Sequence, residues 1–376
     1  MLYSDTRKSE IPHKRLPTGD GSSHDVSRNI DTAMEYLTDP VSGSPAAGKV
    51  TCGVLCLHVD DLCMSGDSEF QRRVVDRIKK DFEIGSEDLN LVEYCGQKVQ
   101  WITATSQIPA HIAVSQNKAI DALTEIKLDG HEQDATPLSP TRHTQFRSVL
   151  GQINWLQSRT QFQAAYSFSR CASASANPLI KDLRELNKLV RMIKAKPVII
   201  RHFPLSGALR IICYPDASYR NNSDKSSQRG QVIFLAEPRN EGQLDARGSI
   251  VDYESQKIKK TVLSTTVSEL YAITKCYGTW LFLKGRWMDM AGATAEIHMR
   301  TDANNLVTTA ATTHLPEQKD TAHLIHVLRH HASTVQIHDL AHVISEYCLS
   351  DALTKKSVSA DALQRKVGTD NLPDRD

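Results

Sequence analysis

Residues 209–222 read LRIICYPDASYRNN. An apolar run, Leu209, Ile211, Ile212 and Cys213, leads through Tyr214 and Pro215 to Asp216. The run predicts a buried strand, and a rigid strand that ends at open water is a common way to aim a carboxylate into a site. Asp also ends strands for no functional reason, so the residues downstream carry the argument. Glu269 stands at the start of a predicted long helix, Asp302 at the end of a short strand and Asp351 just before the last helix. Four carboxylates converging from separate elements need cations, and two divalent metal ions meet that need.

Working outward, residues 231–236 and 249–253 fit two further antiparallel strands, with the charged, Gly-containing stretch 237–248 as their loop. A long helix is predicted over 266–287, a strand over 296–302, helices over 303–311 and 318–331, a strand over 335–343 and a closing helix over 359–366. Strands first, then strands alternating with helices, predict an α/β domain with a mixed sheet covered on its faces. Upstream, residues 146–157, 161–176 and 179–194 each carry apolar residues at helical spacing. A Pro-marked linker, ATPLSPT at 135–141, precedes them.

Local alternatives exist for each acid. Thr266-Val267-Ser268-Glu269 has the form of a capping box, in which Glu reaches back to the first amide of its helix. Asp302 and Asp351 could be N-caps. Trp155 and Phe162 could stack on a base, but their helical spacing favours the core. His323, His326, His330, His331, His338 and His342 crowd one region without completing a zinc set, which favours surface or packing roles.

The motifs DAS (216–218), LSTTVSELYA (263–272), MRTDANNLV (299–307) and LSDALTKK (349–356) stand in that order. The set resembles the ribonuclease H domain of copia-type retrotransposon Pol polyproteins. The resemblance runs from about residue 50 to residue 356. It implies a ribonuclease H-like mixed five-stranded sheet with flanking helices, two Mg2+ (or Mn2+) ions held by Asp216, Glu269, Asp302 and Asp351, and hydrolysis of the RNA strand of an RNA–DNA hybrid. His58-Val59-Asp60-Asp61, between two apolar runs, resembles the Asp pair of the family's reverse-transcriptase palm, although the family usually has Tyr before the Val. Read without the family, the same residues are either a metal-binding Asp pair at a hairpin tip or a plain polar turn, and the turn is favoured. No upstream strand offers a third palm carboxylate, so the chain alone is not expected to polymerise. The implied organisation is a tail with a short helix (1–49), a partial palm (50–140), a helical thumb-like region (141–204) and a ribonuclease H-like domain (205–370).

Charge is uneven within 376 residues of net charge +1. Residues 1–140 hold 14 basic against 22 acidic residues, and residues 141–230 hold 15 against 4. A basic middle suits a phosphate backbone, with Arg147, Arg159, Arg170, Arg184, Arg191 and Lys194 as the residues expected to meet it; a solvated helical surface is the plainer alternative. Eight scattered Cys with no C-x-x-C pair suit a reducing compartment. The first residues have no apolar h-region, and no apolar run reaches about 18 residues. The expectation is an intracellular protein, cytoplasmic or nuclear, with nucleic acid and no membrane as partner. A non-catalytic nucleic-acid-binding relic and a metal-binding regulator built on the histidines stay open as rivals.

Overall fold

Apolar alternation recurs on both sides of residue 103, and the two sides fold into separate compact units, 1–102 with 285–294 and 103–284 with 295–376. The structure is a computed structural model and describes residues 2–4, 53–59, 61–106, 108–237, 245–312, 319–334, 337–356, 358–369 and 371–373. The short helix expected within the 1–49 tail lies outside these residues, as does Asp60.

The first unit is built from hairpins. Strand β1 (Leu2–Ser4) runs antiparallel to β3 (Asp61–Gly66) and, on its other side, to β4 (Ser86–Asp88); β2 (Gly53–His58) pairs with β3. A paired strand at Leu2–Ser4 differs from the tail that the polar composition of this end predicts: the backbone of three residues between two strands suffices to order it. His58 pairs with Asp61, so the expected hairpin forms, and exposed Val59 enters its turn at φ 57°. Helix α1 runs from Ser68–Phe70 through a π-helical stretch, Gln71–Val75, into Asp76–Asp81, and Asp67 caps its start. Strands β5 (Leu91–Tyr94) and β6 (Gln97–Ile102) form a second hairpin. Its turn, Cys95-Gly96, has φ 48° and 67°, the positive values a two-residue hairpin requires.

In the second unit β7 (His111–Ser115) leads into α2 (Asn117–Ala122), α3 (Pro140–Gln157), a 3-10 turn (Phe162–Ala164), α4 (Ala165–Ser173) and α5 (Ile180–Ala195). β7 pairs with β8 (Ile200–His202). Helices α3 and α5 pack through Phe146, Ile153, Leu156, Leu183, Leu186 and Ile193, all essentially without exposure. Buried Asn187 donates to the Ile126 carbonyl at 2.8 Å and accepts from its amide at 3.0 Å, so the polar group inside this core is satisfied. The Pro-marked stretch is no free linker: Leu138 donates to Pro178 O at 3.1 Å, and Ile180 donates to Thr136 O at 2.9 Å.

The main sheet follows. Its strands are β9 (Arg210–Ser218), β10 (Gln228–Ala236) and β11 (Asp245–Lys257), an antiparallel meander, then β12 (Glu296–Thr301) and β13 (Asp339–His342), which extend it in parallel on the other side of β9. Helix α6 (Thr265–Ala291) connects β11 to β12. Helices α7 (Asn304–Ala311) and α8 (Lys319–Ser333) connect β12 to β13, and α9 (Asp361–Thr369) closes the chain's helices. These five strands form the expected five-stranded mixed sheet. A sixth, β14 (Asn371–Pro373), adds to the free edge of β11, beyond the closing helix. Asp216 does not end its strand as the sequence predicts. β9 continues two residues, because Ala217 and Ser218 pair with Arg229 and Gln228 of β10.

Candidate metal centre

Three elements bring the acids together. In the β9–β12 ladder Cys213 is level with Met299, and the same offset carried three residues on sets Asp302 level with Asp216. Asp351 opens a single 3-10 turn, Asp351–Leu353, whose Leu353 is fully buried with Ile212, Tyr214 and Val232. That burial seats the turn on the sheet next to Gly230, the residue paired with Asp216. A Cβ at Gly230 would come within 2.8 Å of the Thr354 methyl and 2.9 Å of Leu353 Cβ, so only glycine lets the turn approach this closely.

Ligand atoms of Asp216, Asp302, Asp351 and Cys348 all lie within 4.8 Å of one another. Glu269 stands beside this group and outside it: its Oε2 accepts a hydrogen bond from the Ala217 amide at 3.0 Å. The capping-box reading of Glu269 therefore fails. The cap of α6 is Ser264, whose Oγ accepts from Val267 N at 3.3 Å, which leaves the Glu269 carboxyl free to reach β9. Asp302 is no N-cap either. The residue preceding α7 is Ala303, without a side-chain cap, and Asp302 Oδ2 accepts from Ser345 Oγ at 3.0 Å. Asp351 lies inside its turn, not at its cap, and accepts from Lys355 Nζ at 2.8 Å.

The electrostatics follow from depth. Asp216 is fully buried; Thr354 Oγ1 donates to its Oδ2, Lys355 Nζ lies 3.9 Å from the same oxygen, and Oδ1 has no hydrogen-bond partner. Burial pushes its carboxyl up to about 7, with Asp351 and Asp302 adding to the rise and Lys355 and Thr354 opposing it. Burial, then the charges of Asp216 and Asp302, push Glu269 up to about 10. Burial alone would lower the Lys355 ammonium, but Asp216 and Asp351 more than reverse it and hold the group charged. The Cys348 thiol is held far above its ordinary range by burial and by Asp216 and Asp302.

The donor set fits a hard divalent cation. Carboxylate oxygens suit Mg2+ and Mn2+, and an unpartnered buried Asp216 oxygen is a lone pair awaiting a positive charge. Cys348, Thr354 and Lys355 are absent from the set of residues that the sequence singles out. The i, i+4 spacing of Asp351 and Lys355 was the one local signal for any of them. Cys348 has none, because only the fold brings its sulfur to the acids.

The other candidates are placed as follows. Asp61 begins β3, half-buried, in the first unit. Arg184 bonds Asp134 and donates to Glu132 O at 2.6 Å, Arg191 bonds Glu125, and Lys194 donates to Leu123 O at 2.8 Å and Asp121 O at 3.1 Å. These three charges tie α5 to the segment 121–134. Arg147 is exposed on α3, the Arg159 guanidinium lies 4.9 Å over the Trp155 ring, and Arg170 lies 6.0 Å over Tyr166. Phe162 is core as expected, whereas Trp155 faces out at 36% exposure. Among the histidines, His331 stacks on Tyr277 at 3.7 Å and His338 Nδ1 accepts from Ile297 N at 3.1 Å; His323, His326 and His330 are exposed.

No protein-family model and no curated protein matches the chain. Solved structures similar to it include LC11 ribonuclease H1, isolated from compost by a metagenomic approach and solved with an RNA/DNA hybrid. It aligns at 18% identity over 41% of this chain and 99% of its own, with a TM-score of 0.29. Ribonuclease H1 of Halobacterium salinarum aligns at 17% identity over 42% of this chain and 98% of its own, with a TM-score of 0.27. A foamy viral protease-reverse transcriptase in complex with an RNA/DNA hybrid aligns at 13% identity over 81% of this chain and 37% of its own, with a TM-score of 0.44. Among the described residues no helix is long and apolar enough to cross a membrane.

Proposed function

We propose that the chain is part of a copia-type retrotransposon Pol polyprotein whose second unit hydrolyses the RNA strand of RNA–DNA hybrids. The observation that carries this reading is the meeting within 4.8 Å of Asp216 on β9, Asp302 just past β12 and Asp351 on the 3-10 turn Asp351–Leu353. The four motifs around the acids, in the family's order, support it. In this reading Asp216, Glu269, Asp302 and Asp351 hold two Mg2+ or Mn2+ ions. Such ions, when bound, supply an activated water and stabilise the leaving 3′-oxygen.

The chain's own residues prepare that chemistry by fixing the donors. Thr354 orients Asp216, the Ala217 amide holds Glu269, Ser345 holds Asp302, and Lys355 balances part of the negative charge. Arg147, Arg159 and Arg170 remain as the phosphate-binding residues of the basic middle; Arg184, Arg191 and Lys194 serve there only if they exchange their internal partners. A groove that meets 2′-hydroxyls on one strand would give hybrid preference. Residues 50–140, with Asp60 and Asp61, are the palm remnant, residues 141–204 the thumb-like region and residues 205–370 the nuclease domain.

The test is cleavage of a labelled RNA–DNA hybrid with Mg2+. Wild type should cleave the RNA strand. Asp302→Asn keeps the shape, removes a charge and a strong ligand, and should abolish cleavage while the metal-free melting temperature stays equal or rises. Near-full activity of that variant would remove Asp302 from the site. A wild-type chain that binds hybrid and cleaves nothing would favour the relic.

A further inference from the structure

The cluster contains one donor that a magnesium centre does not call for. Cys348 is buried, and its Sγ lies within 4.8 Å of carboxylate oxygens of Asp216, Asp302 and Asp351. Its polar neighbour outside the acids is Ser350 Oγ at 3.5 Å. Buried cysteines ordinarily replace small apolar side chains in a core. A sulfur set among three carboxylates is in different company. A thiol is a weak hydrogen-bond donor, and apolar packing gives it no reason to face anions.

A second observation points to a ligand at the same place. Asp216 is fully buried, yet its Oδ1 has no hydrogen-bond partner, while its Oδ2 is taken by Thr354. A buried carboxylate oxygen left without a donor is costly unless a cation completes it.

We infer that Cys348 is a fourth donor of this centre, making it a mixed oxygen–sulfur site that takes a thiophilic divalent cation of the zinc and cadmium class. Softer sulfur ligands favour these ions over magnesium, and three carboxylates with one thiolate supply the four donors such ions take. On coordination the thiol loses its proton to solvent as the sulfur–metal bond forms, so uptake of the ion releases a proton. A thiophilic ion held in this way would exclude magnesium from the Asp216–Asp302–Asp351 group. The inference rests on reading that group as a metal centre, and the experiment separates the two.

The probe is Cd2+, added to the full chain with Cys52, Cys56, Cys63 and Cys95 replaced by Ser, so that thiols at the first unit's end of the chain do not take the ion. The expected result is a sulfur-to-cadmium charge-transfer absorption and a raised melting temperature. Cys348→Ser should lose the absorption, and Asp302→Asn should weaken it because the same ion uses both groups. Outer-sphere partners alone are worth about 10–100-fold in metal affinity, so loss of a direct sulfur donor should weaken Cd2+ by at least that much. Mn2+, a hard ion, should still raise the melting temperature of Cys348→Ser. Cys348→Ala, which adds no hydroxyl, gives the same comparison if the serine variant does not fold. An absorption that is absent, or that persists undiminished in both variants, overturns the inference while a Mn2+ response keeps the carboxylate centre. No response to either ion overturns both.

Discussion

Asp216 and Glu269 set the centre's response to pH. Both carboxyls sit above their ordinary range in the folded chain, at about 7 and about 10, chiefly because they are buried. A raised folded value means that the native state holds more protons than the unfolded state, so the stability they contribute is complete below the ordinary carboxylate range and is lost as pH rises. Stripped of metal, the chain should lose stability as pH climbs from about 4 through 7 for Asp216 and on towards 10 for Glu269. A divalent ion neutralises the same charges, so Mn2+ should flatten the slope. Melting curves between pH 5 and pH 9, with chelator and with Mn2+, would check this; a metal-free stability that rises with pH would contradict it. Much of the centre was legible at this scale. Asp216 follows an apolar run, and Asp302 follows a short alternating strand pattern carried by Ile297 and Met299. Glu269 was ambiguous because Thr266 precedes it at capping distance, and the structure removes the capping reading, since Ser264 is the cap. Cys348 and Thr354 carry no local sign of their place beside Asp216.

At the scale of elements, the 3-10 turn Asp351–Leu353 is the piece on which the centre depends. It has three residues and little structure of its own, so its position comes from buried Leu353 and from the absence of a side chain at Gly230. Gly230→Ala should push the turn outward, moving Asp351 and Thr354 away from Asp216. Overpacking of this kind costs about 1–3 kcal/mol, and the weakened Mn2+ response should exceed what lost stability alone explains. Urea unfolding with and without Mn2+ would show it, and an unaltered Mn2+ response would mean that the turn is held by other neighbours. Helix α5 gives a second test. Arg184, Arg191 and Lys194 bond the segment 121–134, so their removal should lower stability and leave the salt dependence of hybrid binding unchanged. Removing Arg147, Arg159 and Arg170 should flatten that dependence by roughly one unit of slope for each phosphate no longer neutralised. The reverse pattern would return the phosphate role to α5. Sequence periodicity found these helices but not their pairings, because an exposed Arg on a helix reads the same whether its partner is a phosphate or a distant Glu. The five strands of the main mixed sheet were legible for the same reason the helices were. β14 was not, since three residues at a sheet edge have no period to read.

At the scale of the whole molecule, motif boundaries and core boundaries part company. The sequence motifs divide the second unit at residue 205, where the resemblance passes from a thumb-like region to a nuclease domain. The core does not divide there. Phe162, Ala165, Val198 and Ile200 lie in one buried cluster with Ile212, Tyr214, Phe234 and Leu353. Patterning along the chain cannot reveal this, because it shows which face of each helix is apolar and not which sheet receives it. Gln228 of β10 adds a polar tie, donating to Ser169 Oγ of α4 at 3.0 Å. A fragment of residues 205–376 would therefore expose the sheet face that these side chains cover. Burial of a Phe, Val or Ile is worth about 1.5–3 kcal/mol each. Losing Phe162, Val198 and Ile200 together thus approaches the roughly 5–15 kcal/mol that holds a whole domain folded. The fragment 205–376 should lack a cooperative urea transition, whereas 103–376 should unfold cooperatively. The comparison also bears on the centre, since Leu353 belongs to the same cluster and seats Asp351: in the shorter fragment the Mn2+ response should vanish along with the transition. If 205–376 instead unfolds cooperatively at the midpoint of 103–376, the helices are a separate layer resting on a sheet that is stable without them.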